Sequence, residues 1–267
     1  MPAVRPAAVA GSFYPGDAGA LAAEVSSYLA EAPAPSPGLR APKAIIAPHA
    51  GYIYSGPIAA SIYARLAPLR GRVRRVVLAG PAHREYVAGV AVPSVQAFAS
   101  PLGDVPLDRE AIDSLGQFPF VEVSDRAHAL EHSLEVQLPF LQSVLGSFSL
   151  VPIVVGEASP DEMAALLDSL WGGAETLVVV SSDMSHYLPY RSARGRDSRT
   201  AQAIANLDAH VVPEEACGAA PINGLLRTAR SRRLRSEIVD LRNSGDTAGG
   251  LDRVVGYGAF AFTEPDA

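Results

Sequence analysis

The stretch "TLVVVSSDMSH" (residues 176–186) governs how the whole chain is read. Leu177 to Val180 are apolar in unbroken succession, and three of the four are β-branched. An uninterrupted run of this kind suits a strand covered on both faces, as in a parallel sheet flanked by helices. The stretch then turns polar, reaching a carboxylate at Asp183 and an imidazole at His186. In open parallel sheets, ligands bind in the crevice beyond the carboxyl ends of the strands.

Three other runs share the apolar pattern: "KAIIA" (43–47), "VRRVVLAG" (73–80) and "SLVPIVVG" (149–156). Helical patterns lie between and after them. They include "DAGALAAEVSSYLAEA" (17–32), "GPIAASIYARL" (56–66), "RDSRTAQAIANLDAH" (196–210) and "PEEACGAAPINGLLRTARSRR" (213–233). In "SPDEMAALLDSLW" (159–171), Ser159 is the expected N-cap, with Pro160 at the first helical position and acids in the first turn. Residues 86–107 are strand-like but broken by proline, which suggests a hairpin beside the main sheet. The closing "RVVGYGAFAF" (253–262) alternates as a strand does. The expected fold class is therefore α/β, a single domain over 1–267 with a central, mostly parallel sheet flanked by helices. Its one low-complexity piece is a Pro-rich connector at 31–38.

Two more of these strands end as the first does. "AIIAP" leads into His49, and "VVLAGPA" leads into His83. With Asp183 and His186, that sets four polar residues at one edge of the sheet. A carboxylate beside a histidine at a strand end is how acid/base pairs are held, although Asp183 would equally serve as a helix N-cap. Cys217, the single cysteine, lies near a helix start, where free N–H groups favour a thiolate. It is equally a small buried hydrophobe. "HALEH" (128–132) fits the H-x-x-E-H pattern of a zinc peptidase helix, with His128 and His132 one turn apart. The plainer alternative puts Glu131 and His132 near a helix start, lining a pocket wall.

Composition excludes several classes. Hydrophobic residues make up 48% and charged residues 19%, an ordinary globular balance. The net charge of −6 argues against a nucleic-acid groove, which needs a basic stripe. Of the 22 basic residues, 21 are Arg and one is Lys43. No run approaches the roughly 18 apolar residues of a membrane span. A lone cysteine and an N-terminus without an apolar h-region point to a cytoplasmic location. Nucleotide-binding and hydrolase glycine motifs are absent from the sequence.

Seven motifs in order, "AGSFYPG", "APHAGYIYSG", "LAGPAH", "EHSLEVQLPFLQ", "VVVSSDMSHY", "ACGAAPI" and "VVGYGAFAF", resemble those of the Memo family. Its bacterial and archaeal members are called AmmeMemoRadiSam system protein B. The resemblance implies a LigB-like fold, similar to the class III extradiol dioxygenases, which hold non-haem Fe(II). It implies His49, His83 and Cys217 as metal ligands, for Fe(II) or copper more than zinc. Asp183 and His186 would be the acid/base pair, with Tyr54 at the pocket mouth and Glu131 and His132 in the pocket without a fixed role. A thiolate in place of the dioxygenase carboxylate departs from the ring-cleaving pattern and favours softer metals. The expected partner is a small molecule or a peptide, the latter because eukaryotic members are described as phosphotyrosine-peptide adaptors. The family name implies a radical SAM enzyme as a further partner.

Overall fold

A computed structural model describes residues 3–34 and 39–265. The second half of the 31–38 connector therefore lies outside the described residues. In chain order the elements are β1 (Val4–Arg5), α1 (Ala18–Glu31), β2 (Ala44–Ala47), α2 (Tyr52–Tyr63), β3 (Arg75–Pro81) and β4 (Val90–Val92). Next come β5 (Ala97–Phe98), β6 (Val105–Pro106), α3 (Arg109–Ser114), β7 (Val121–Val123), α4 (Asp125–Ala129), α5 (Leu138–Leu145) and β8 (Ser149–Val155). The last third holds α6 (Pro160–Ser169), β9 (Thr176–Ser181), β10 (His186–Leu188), α7 (Tyr190–Ala205), α8 (Ala219–Ser231), β11 (Arg235–Asn243) and β12 (Val254–Thr263).

The main sheet has nine strands, ordered β10-β12-β2-β9-β3-β8-β4-β7, with β11 also paired to β12. Its centre is parallel: β2 with β9, β9 with β3, and β3 with β8. These four are the apolar runs of the sequence, and nearly every residue in them is buried. The flanks depart from the parallel expectation. β12 runs antiparallel to β2, β10 and β11, and β4 antiparallel to β8, so the sheet is mixed. At the margin β11 carries exposed and half-buried residues, a place where antiparallel pairing tolerates solvent, but the reversed strands β12 and β4 are themselves buried.

Helices α1, α2 and α5 pack together, with α2 on β2 and β12, while α6 and α8 pack together, with α8 on β3 and β9. This is an α/β domain consistent with the LigB-like expectation. Ser159 caps α6 in a full capping box with Glu162, as its sequence indicates. The hairpin anticipated in 86–107 is β5 with β6, joined by β1 into a small separate sheet. The helical pattern expected at 213–233 is shorter in the structure, beginning at Ala219. Helix α8 ends at Ser231, Arg233 adopts a left-handed backbone, and β11 begins at Arg235. Among the described residues, no helix is long and apolar enough to cross a membrane.

Candidate metal centre

The strand-end expectation holds for three positions. His49 follows β2, His83 follows β3 and Asp183 follows β9, all beyond the carboxyl ends of neighbouring strands. Between α4 and α5 a loop brings in His132. The rings of His49 and His83 lie 5.2 Å apart, those of His83 and His132 4.7 Å, and those of His49 and His132 5.5 Å. One nitrogen from each of the three lies within 4.8 Å of the other two, close enough to share one metal ion. His49 is buried while the His83 side chain is 28% exposed, so the cluster opens to solvent on the His83 side.

Hydrogen-bond accounting fixes the state of two rings. Ser181 Oγ donates to the Ser133 carbonyl (2.6 Å) and accepts from Gln137 Nε2 (2.8 Å). Its single proton is thus committed, so the 2.9 Å contact with His49 Nδ1 has the imidazole as donor. His49 Nε2 is left with its lone pair. His83 Nδ1 lies 2.9 Å from Glu131 Oε1, and burial-opposing hydrogen bonds hold that carboxyl at about 2, so it is an acceptor only. In the neutral ring, His83 Nε2 therefore also carries a lone pair. The same carboxylate accepts from the His83 backbone (2.6 Å) and the Ser133 backbone (2.8 Å), clamping residue 83 from two directions. Carboxylate-to-histidine support of this kind orients metal ligands and sets their tautomer.

Desolvation lowers His49 to about 3 and His132 to about 4, with neighbouring histidines adding to the shift. Both are neutral imidazoles at neutral pH, the form that binds metals. His132 Nδ1 sits 3.4 Å from Glu131 Oε1 yet makes no hydrogen bond, leaving a buried polar atom without a partner. Three converging imidazoles, two with fixed lone pairs and one with an unpartnered nitrogen, fit a transition metal.

Cys217 Sγ lies 3.3 Å from His49 Nε2, directly beside the cluster. With that nitrogen an acceptor, the thiol donates. The thiolate anticipated from the helix start does not form in the metal-free protein, because burial, with Asp183 nearby, pushes the thiol up to about 12. Two residues short of α8, the helix dipole is outweighed by desolvation. Gly218 makes the approach feasible, since a Cβ there would stand 2.7 Å from that of Ser182.

Asp183 is buried, and its Oδ1 accepts the His49 backbone N–H at 2.7 Å. Desolvation raises its pKa while His186, His132 and His83 pull it down. His186 opens β10 as an exposed residue within electrostatic reach of both Asp183 and His49. Tyr54, 38% exposed in the first turn of α2, is the partly open tyrosine beside a buried one. Tyr52 is in the core, its hydroxyl donating to the Val136 carbonyl.

The peptidase pattern fails on geometry. Helix α4 stops at Ala129, so His128 and His132 do not share a helical face. His128 is buried elsewhere, with Nε2 3.0 Å from the Ala91 carbonyl. His132 instead joins the two strand-end histidines, a role its sequence surroundings did not declare. Glu131 proves to be the clamp on His83. Gln137 likewise went unnoticed, although it lies six residues beyond Glu131 in the same quoted motif.

Fold and cluster together define an α/β protein with a candidate three-histidine metal centre. A family model for Memo-like protein matches residues 5–261, and the chain belongs to the Memo family. A MEMO1 family protein of Ignicoccus hospitalis is 38% identical over 98% of this chain and 99% of its own. One from Aquifex aeolicus is 36% identical over 95% and 97%. Among solved structures, an uncharacterized protein of Escherichia coli K12 matches with a TM-score of 0.50 at 16% identity, over 82% of this chain and 99% of that one. That likeness concerns the fold alone.

Proposed function

We propose that this protein is a metal-dependent redox protein acting on a small molecule, with iron or copper held by His49, His83 and His132 and with Cys217 as an additional ligand. The carrying observation is the pair of fixed tautomers. Ser181 and Glu131 each accept a hydrogen bond from an Nδ1 atom, which leaves Nε2 of each neutral ring with its lone pair before any metal arrives. A bound metal would supply electron transfer and polarisation of a ligand in its open positions. A nearby thiol favours iron or copper over harder ions, since a metal displaces its proton and the resulting thiolate is a soft donor.

The chain's own residues divide the remaining work. Asp183 holds the His49 backbone in place, and burial raises its pKa above the ordinary carboxylate value, which suits it to an acid/base role. His186, exposed at the start of β10, is the other member of the acid/base pair that the family resemblance implies. A ligand would enter on the His83 side. The test is anaerobic reconstitution with Fe(II) or Cu(I), followed by metal analysis of wild type, His132→Ala and Cys217→Ala. About one metal per wild-type chain is expected, with weaker retention in both variants. A wild type that holds neither metal would sink the proposal. Full retention by His132→Ala would remove that residue from the ligand set.

A further inference from the structure

The N-terminal arm lies outside the layered α/β core, yet its buried polar contacts converge on the loop that carries Glu131 and His132. Arg5 is buried to 4% exposure. Its Nε donates to the His128 carbonyl at 2.6 Å, and its Nη2 donates to the Glu131 carbonyl at 2.7 Å. Its Nη1 donates to Glu135 Oε2 at 2.7 Å and to the Pro6 carbonyl at 3.3 Å. One planar guanidinium thus ties together both ends of the 128–131 segment and the residue that follows it in the chain by four. Lysine cannot reproduce such a fork, because its ammonium is a single point.

Glu135, fully buried, fastens the arm from the other side. It accepts from the Ala8 backbone (2.7 Å), the Val9 backbone (2.9 Å) and the Tyr14 hydroxyl (2.6 Å), in addition to Arg5. The arm then delivers Phe13 onto the site. Its ring centroid is 4.8 Å from that of His132, whose Nδ1 has no hydrogen-bond partner. His49 has Ser181 and His83 has Glu131 to set their rings, whereas His132 has only packing. The Phe13 carbonyl also accepts from the Tyr52 backbone at the start of α2, three residues after His49.

From this we infer that residues 5–14 form a positioning strap for the metal centre. Arg5 sets the loop backbone from which Glu131 and His132 project, and Phe13 sets the orientation of the His132 ring. Both act through other residues, and neither touches the metal. The inference rests on the metal-binding reading above.

Co(II) alone is the probe, with affinity measured by chelator competition and geometry by visible absorption of the bound ion. Arg5→Lys keeps the charge opposite Glu135 but loses the fork. It is expected to weaken Co(II) binding by about 10- to 100-fold, the usual loss when an outer support of a ligand is removed, and to shift the absorption bands. Lys43→Met controls for general destabilisation. Its ammonium donates to the Trp171, Gly173 and Thr176 carbonyls near the start of β9, away from the cluster, so its loss should lower the melting temperature and leave Co(II) binding unchanged. Wild-type affinity and spectrum in Arg5→Lys would overturn the inference. Should Arg5→Lys not fold, Phe13→Leu decides: a shifted spectrum supports the strap, and an unaltered one overturns it. Failure of the wild type itself to bind Co(II) would instead count against the metal centre.

Discussion

Ser181 shows how much one hydroxyl can settle. Its proton goes to the Ser133 carbonyl, and its two lone pairs go to Gln137 and His49. Ser181→Ala would leave a buried amide N–H and an imidazole N–H unpaired, at a cost of about 1–3 kcal/mol. It would also free His49 to adopt the other tautomer. We expect metal affinity to fall by about 10- to 100-fold, measured by chelator competition, with the melting temperature lowered by several degrees. Unchanged affinity would mean that the tautomer is set by something other than Ser181.

At the scale of elements, the site is assembled where two strand ends, one loop and one helix start meet. Gly218 sits at the closest of these junctions. A Cβ there would lie 2.7 Å from Ser182 Cβ and 2.9 Å from the Ser181 carbonyl, and the latter is backbone and cannot rotate away. Gly218→Ala should therefore push the start of α8 outward and carry Cys217 from His49. Expected outcomes are a loss of about 1–3 kcal/mol in stability from overpacking and, in the Cu(I)-loaded protein, a weakened sulfur-to-metal signal in X-ray absorption. An undiminished sulfur signal would show that the junction can relax. The same geography explains what the sequence made visible. His49, His83 and Asp183 were legible because buried strands announce their own carboxyl ends. Cys217 is a candidate thiolate from its place near a helix start, but only the family resemblance joins it to the histidines, since no spacing rule reaches across the 168 positions that separate it from His49. His132 reads as a pocket residue but not as a third member of the cluster, because "HALEH" suggests a helical pair that only the end of α4 at Ala129 rules out. The antiparallel flanks were invisible for a different reason: the apolar runs report burial, and burial is silent about strand direction.

For the whole molecule, buried neutral histidines make stability depend on pH in a definite direction. Desolvation is the leading cause in all three: His49 falls to about 3, His128 to about 4 and His132 to about 4. Unfolded histidines take up protons near 6.5. Between about 6.5 and 4 the unfolded chain binds protons that the folded one does not, so stability falls as the pH falls. Glu131, held at about 2, extends the loss below 4.5. Asp183 and Asp197, both raised by burial, pull the other way but are outnumbered. Urea midpoints of the metal-free protein should drop steadily from pH 7.5 to 4.5, and His128→Gln should flatten the slope. A midpoint indifferent to pH over that range would contradict the neutral assignment.

Strand β12 is the last of the twelve described strands along the chain, yet it lies inside the sheet, between β2 and the β10 and β11 pairs. On a ribosome, the backbone groups of β2 on that side must wait until β12, far later in the chain, has emerged. Until then the strand that leads to His49 presents an open apolar edge, the kind that pairs with other chains. The sheet therefore closes only once β12 has joined it, and until then the folding chain is open to aggregation and to capture by chaperones.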